Sequence, residues 1–469
     1  MKFQNIIVVV SSCLLSLSCS AQMEIQNKPN FIIIYCDDLG YGDLGCFGAT
    51  DIKTPNIDRL AEEGMKFTEF YSASAVCSPS RAALLTGRYP QRMGLNSVFF
   101  PESWTGMPVE EITIADELKA AGYATGHIGK WHLGHREKFL PLQRGFDEYF
   151  GIPYSNDMES VVYLRGNEVE EFHVDQRYMT KTYTEESLDF IENHADESFF
   201  LYLAHSMPHT PIYASEDFRG SSARGLYGDV IQEIDWSVGE IIRKLEEKEI
   251  LDNTLIVFSS DNGPWLVMED HGGSAGILRE GKQYTFEGGM RVPTLAMWKG
   301  KIRGGAVYDD MALMMDWFPT LLNLAGIDQS AQNTLDGVDI TEVLLNGGER
   351  EENGFLYFDG LKLEGYREGD WKVKLKYKGF EGAAFKKGVP PHEILLINLK
   401  EDPSESKNLA KDMPEKLEEL LRKMDSSREA LGELPPSLVF KTNGDYSSFD
   451  YLKEKHGEGV EYWRADYKK

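Results

Sequence analysis

Four short apolar runs, each ending in a knot of polar residues, constrain this chain more than any other feature. They are Asn30-Phe-Ile-Ile-Ile-Tyr35, Tyr123 to Ile128, Phe199 to Ala204 and Thr254 to Phe258. Continuous apolarity rich in β-formers predicts strands covered on both faces, as in a parallel sheet. Helical patterns lie between them. Thr54-Pro55 opens one as N-cap and first residue, Thr113 caps another with Asp116 three residues on, and Leu226 to Glu247 is long and amphipathic. Strands alternating with helices predict an α/β fold, a large, mainly parallel sheet sandwiched by helices. After about residue 350 the pattern changes. Leu356-Tyr-Phe, Trp371 to Lys376 and Ile394 to Ile397 read as short, half-exposed strands, and Pro414 to Leu431 as an amphipathic helix. A smaller C-terminal antiparallel sheet plus helix is the expectation.

Open α/β sheets bind ligands beyond the carboxyl ends of their strands. The first run meets Asp37-Asp38, the second Lys130-Trp-His132, the third His205 and His209, and the fourth Asp261-Asn262. One Asp pair after a strand is usually a turn; four polar clusters on one sheet edge point to a site. Asp37, Asp38, Asp261 and Asn262 are hard oxygen donors that suit Ca²⁺, Mg²⁺ or Mn²⁺. Cys77-Ser-Pro-Ser-Arg81 opens a helix with Pro79 as its expected first residue. Cys77 then sits just before a helix N-terminus, where backbone N–H groups favour an anion, and Arg81 lies one turn inside.

Acidic residues number 76 and basic ones 49, for a net charge of -27. That field argues against nucleic acid and anionic membranes as partners. The first 21 residues, one Lys before an apolar stretch and small residues up to Ala21, read as a signal peptide. Cleavage after Ala21 gives a soluble periplasmic or secreted protein, and cleavage before Cys19 a lipid-anchored one; both stay open. No other run is long enough to span a bilayer. Beyond the export segment Cys36, Cys46 and Cys77 remain, an odd number that leaves at least one thiol unpaired.

Together these segments resemble the type I sulfatases of the alkaline phosphatase superfamily, closest in motifs to arylsulfatase A and the galactosamine-6-sulfatase branch. The resemblance rests on Cys77-Ser-Pro-Ser-Arg81 continuing to Arg88, Gly129-Lys-Trp-His-Leu-Gly134, Asp37-Asp38, Asp261-Asn262-Gly263, and Gly281-Lys282 through Glu287-Gly-Gly-Met-Arg-Val-Pro293. The Asp402-Pro403, Glu405 and Asn408-Leu409 pattern extends it to the C-terminal part. It implies a catalytic domain over 22–350, an α+β subdomain over 351–469 and hydrolysis of sulfate esters. It also implies that a maturase converts Cys77 to formylglycine, whose hydrated aldehyde is the nucleophile. One calcium ion is then bound by Asp37, Asp38, Asp261, Asn262 and modified Cys77. Arg81, Lys130, His132, His209 and Lys282 map to the sulfate site, His209 through Pro208-His-Thr-Pro211.

The rival readings are a phosphonate or phosphate ester hydrolase of the same superfamily and an inactive sugar-sulfate-binding homologue. The second metal-ligand group of two-metal phosphatases is missing, and every polar position of the sulfate site is filled. The implied substrate is a sulfated mono- or oligosaccharide, attacked at a terminal galactose or N-acetylgalactosamine. Asn156, Asp157 and His271 are candidates for contacts to the sugar. Trp104, Trp265 and Trp317 read as core or rim residues.

Overall fold

The Asn30–Cys36 strand lies inside a ten-stranded sheet, between Thr254–Ser260 and Phe199–Ala204, and is parallel to both. The computed structural model describes residues 28–101, 103–158, 161–328, 334–379 and 389–439, so the export segment and Cys19 lie outside the described residues. Beyond Phe199–Ala204 come Ala124–Lys130 and Glu148–Ile152, also parallel, then an antiparallel pair, Val162–Arg165 and Glu168–Phe172. On the other side Thr294–Met297 runs antiparallel to Thr254–Ser260 and is followed by Met65–Phe67 and Ala306–Tyr308.

Alternation along the central strand divides the core in two. Phe31, Ile33 and Tyr35 join one apolar cluster, with Ala82, Ala83, Leu84 and Leu85 of the Cys77–Thr86 helix. Ile32, Ile34 and Cys36 join the other, with the Leu226–Glu247 helix, whose Ile231, Ile234, Val238, Ile241, Ile242 and Leu245 are all buried. Each such side chain stabilises the fold by roughly 1.5–3 kcal/mol on burial, which is why the run has no polar face. Register then positions the chemistry. Cys36 pairs with Ser260 and Tyr35 with Ala204, so the polar residues that follow each strand emerge side by side.

Three expectations need correction in detail. The second strand is Ala124–Lys130, so Lys130 is its last residue and not a loop residue beyond it. The signature helix starts at Cys77 itself, with Val76 as its extended N-cap, and Pro79 is its third residue. Proline is tolerated there because the N–H groups of the first turn have no intrahelical partner. Thr54 makes no side-chain cap; its hydroxyl accepts from Gly45 N at 2.8 Å and donates to Asp58 Oδ1 at 3.0 Å. Thr113 and Asp116 do form the reciprocal capping box.

The second sheet is antiparallel, in the order Phe355–Asp359, Lys362–Glu368, Trp371–Lys374 and Leu395–Asn398, with the Pro414–Ala430 helix packed on it. Its strands are more buried than half-exposed strands would be, though Lys362, Trp371 and Leu395 keep some exposure. Phe355 to Phe358 are all buried, and so are Lys372 and Lys374, which bond to the Thr285–Glu287 segment of the larger body. Among the described residues no helix is long and apolar enough to cross a membrane.

Close approach of two strand ends sets the position of Lys130. Gly129 has φ 112°, and a Cβ there would lie 1.9 Å from the Ala204 carbonyl oxygen. Gly129→Ala should therefore lower stability by at least about 2 kcal/mol, read as a lower urea midpoint. An unchanged midpoint would mean that this strand end has room to shift.

Candidate active site

Charged side chains converge where the parallel strands end. Asp37 and Asp38 leave the central strand, Asp261 and Asn262 the one beside it, and Asp261 N donates to Cys36 O at 3.1 Å. Lys130 donates to Asp37 Oδ2, and to Ser155 Oγ at 3.0 Å. Arg81 reaches in from one turn along its helix. Its Nε and Nη2 donate to Asp261 Oδ2 at 3.1 and 2.8 Å, and its Nη1 to Lys130 O at 3.1 Å. Nη2 also lies 3.5 Å from Asp37 Oδ1. Lys282 donates to Asp38 at 2.8 Å, and His209 Nε2 lies 3.6 Å from Asp38 Oδ2. Asp37, Lys130, Arg81 and Asp261 have no exposed surface, and Lys282 is 6% exposed. Asp38 and His132 hold left-handed backbone, φ 66° and 58°. Such strain costs about 1–3 kcal/mol per residue and persists only where the surroundings impose it.

Burial governs the protonation of these groups, and neighbours then adjust it. Burial opposes ionisation of Asp37, but Lys130, His209, Arg81 and Lys282 hold its carboxyl well below the usual range. Asp261 is pushed up to about 7, by burial first and by repulsion from Asp37 second. Burial pushes the Cys77 thiol up to about 12, even with Lys130 and Lys282 nearby. An unmodified Cys77 thus carries almost no thiolate at neutral pH. Burial and the charge of Lys130 keep the His132 ring neutral, well below its ordinary value. Its Nε2 faces Phe99 O at 2.8 Å, which assigns the proton to Nε2 and leaves Nδ1 as an acceptor. His209 Nδ1 faces Thr210 O at 2.6 Å, so Nε2 is the nitrogen turned toward Asp38.

The donor set fits a hard cation. Asp37, Asp38, Cys77 and His209 each offer one ligand atom, all within 4.8 Å of one another. Asp37 Oδ1 and Asn262 Oδ1 are buried without a hydrogen-bond partner, the state in which carboxylate and amide oxygens bind calcium or magnesium. Asn262 Nδ2 donates to Asp38 Oδ1 at 2.7 Å, which orients both side chains. Asp261 is one residue away but turns Oδ2 to Arg81. His209 stands in this grouping although the sequence places it in the sulfate site.

The remaining candidates divide. His205 is fully buried near Ser237 Oγ, at 3.3 Å, on the helix-covered side of the sheet. Asn156 is buried and donates Nδ2 to the carbonyls of His209 and Pro211, at 3.2 and 3.1 Å, so it braces the loop that carries His209. Asp157 lies at the open rim. Burial works against its charge, yet His209, Lys130 and Lys282 hold its carboxyl below the usual range. His271 is exposed at the end of a short 3-10 helix. Trp265 is half-buried, its ring centre 5.5 Å from that of His209 and 4.6 Å below Lys282 Nζ. Ser155, the Phe99 carbonyl and Ser78, whose Oγ accepts from Phe99 N at 3.2 Å, were missed from sequence.

A family model described as Sulfatase matches residues 29–327. The chain belongs to the sulfatase family. It is a sulfuric ester hydrolase of the alkaline phosphatase superfamily. A second model, N-sulphoglucosamine sulphohydrolase, C-terminal, matches residues 280–431. The chain is 43% identical to mouse N-acetylgalactosamine-6-sulfatase over 74% of its length and 72% of that protein. It is 34% identical to human arylsulfatase A over 91% and 92%. A sulfatase from Pseudoalteromonas superposes with a TM-score of 0.80 at 28% identity, over 90% of this chain and 94% of the other. A protein from a Bacteroides thetaiotaomicron locus for glycosaminoglycan metabolism gives 0.79 at 29% identity, over 85% and 99%.

Calcium added to metal-stripped sulfatase should raise its melting temperature by at least about 3 °C. Asp38→Asn should lose most of that gain. No response in the wild type would mean that Arg81, Lys130 and Lys282 alone satisfy the carboxylates.

Proposed function

We propose that this sulfatase releases inorganic sulfate from the terminal galactose or N-acetylgalactosamine sulfate of a saccharide. In this reading Cys77 is matured to formylglycine, one calcium ion is held by Asp37, Asp38, Asp261, Asn262 and position 77, and the protein is exported. The observation that carries it is Cys77 on the first turn of a helix, its Sγ within 4.8 Å of ligand atoms of Asp37, Asp38 and His209. A side chain there is well placed for a modified nucleophile. The hydrated aldehyde supplies a nucleophilic oxygen that the thiol does not. A calcium ion held by those residues would supply positive charge for an anionic ester.

The chain's own residues do the rest. Asp37, Asp38 and Asp261 carry three negative charges when ionised, and Arg81, Lys130 and Lys282 three positive ones. With these charges nearly balanced, a bound cation would tip the site toward a singly charged ester against a global charge of -27. Arg81, Lys130 and Lys282 then hold the sulfate oxygens in a site that excludes water, where one preorganised donor is worth about 3 kcal/mol. As the S–O bond to the sugar breaks, Lys282 Nζ, or His209 Nε2 when that ring is doubly protonated, hands a proton to the departing oxygen. His132 Nδ1, with Nε2 fixed on Phe99, accepts the proton from position 77 when sulfate leaves.

The sugar assignment draws on relatives named N-acetylgalactosamine-6-sulfatase and on a solved neighbour, Ps i-CgsB, crystallised with a neocarrahexaose. Repulsion along a long polyanion favours chain ends. Asp157, exposed beside the cations, is the group placed to accept bonds from sugar hydroxyls.

Two measurements test this reading. Peptide mass spectrometry of active enzyme should show the aldehyde at position 77, and Cys77→Ala should lose sulfate release by at least about a thousandfold. Activity retained in that variant would end the mechanism. Asp157→Asn should raise KM for galactose-type 6-sulfates by about tenfold and leave turnover of a small aryl sulfate unchanged. Faster release from internal glucosamine units than from terminal galactose units would overturn the substrate assignment.

A further inference from the structure

Lys282 reaches Asp38 from a strap, residues 279–287, and much of that strap is held by the C-terminal sheet. Two main-chain bonds tie it to the larger body, Lys282 N to Pro264 O at 2.9 Å and Gln283 N to Ala75 O at 2.8 Å. Tyr71 of the larger body also donates to Glu287 Oε2, and further ties come from residues about 70 to 125 positions further on. Arg279 Nη1 donates to Glu405 O at 3.0 Å, and Glu287 N to Glu405 Oε2 at 2.6 Å. Lys372 Nζ donates to Thr285 O at 3.1 Å and to Glu287 Oε1 at 2.8 Å, and lies 2.9 Å from Glu405 Oε1. Lys374 Nζ donates to Thr285 O and Oγ1, at 3.1 and 2.5 Å.

Lys372 and Glu287 have no exposed surface, and Lys374, Glu405 and Thr285 are each 2% exposed. Buried charges of this kind give little net stability over apolar side chains of the same volume. Their effect here is geometric. Every bond falls on the strap or on its partners in the cluster, and none reaches the site directly.

We propose that Lys372 and Glu405 are positioning residues of the active site. By seating Thr285 and both ends of the strap they set where the Lys282 ammonium lies relative to Asp38 and Cys77. The C-terminal sheet is then part of the catalytic apparatus and not an appendage. The inference rests on the reading of Lys282 as a sulfate-binding cation.

The test uses the full-length matured enzyme and 4-methylumbelliferyl sulfate, with kcat expressed per mole of converted Cys77. Lys372→Met should lower kcat about 100-fold, the scale of a displacement near 1 Å, and Lys372→Arg should restore part of it. In a Lys282→Ala background the same substitution should cost no more than about threefold, because neighbours acting through one group are not additive. Glu405→Gln keeps the shape of the cluster and should show the same non-additivity if Lys372→Met does not fold. Equal losses in both backgrounds would overturn the inference and leave the Lys282 assignment standing. Unchanged kcat in Lys282→Ala alone would overturn that assignment, and the inference with it.

Discussion

Charge neutrality in a space closed to water is the constraint on which the rest of this structure depends. Asp37, Asp38 and Asp261 stand against Arg81, Lys130 and Lys282, all buried. Removal of one partner from such a set leaves an uncompensated buried charge, at a cost of several kcal/mol. Each member therefore needs an element that fixes it. Asp37 and Asp261 are fixed by the register of two parallel strands, Lys130 by the end of a third and Arg81 by a helix. Lys282 has only a strap, and that strap rests on the C-terminal sheet.

The same balance explains how an acidic protein handles an anionic substrate. A net charge of -27 repels sulfate at long range, but ions screen exposed charges beyond about 10 Å. Inside the pocket the local groups decide. Burial and repulsion from Asp37 raise Asp261, while Lys130, His209, Arg81 and Lys282 hold Asp37 well below the usual range.

Much of the architecture was legible because burial on both faces leaves continuous apolar runs that end abruptly in charge. The polar residues after those runs do converge, apart from His205, which lies under the sheet and has no local sequence signal to separate it from His209. Other parts were hidden for physical reasons. The Phe99 carbonyl that fixes His132 belongs to the backbone and carries no residue signature. Ser155 is recognisable only once Lys130 is paired with Ile152. Lys372 and Lys374 alternate with apolar residues and so read as solvent-facing, but their partners on the strap lie 85 or more residues away in sequence, beyond the reach of any local pattern.

Titration of inorganic sulfate into calcium-loaded and metal-stripped protein, by calorimetry at equal ionic strength, tests the charge balance most directly. With the carboxylates and permanent cations offsetting one another, loading should tighten sulfate binding by about tenfold or more. Equal affinity in the two forms would show that Arg81, Lys130 and Lys282 bind the anion unaided, and that the buried balance does not govern the site.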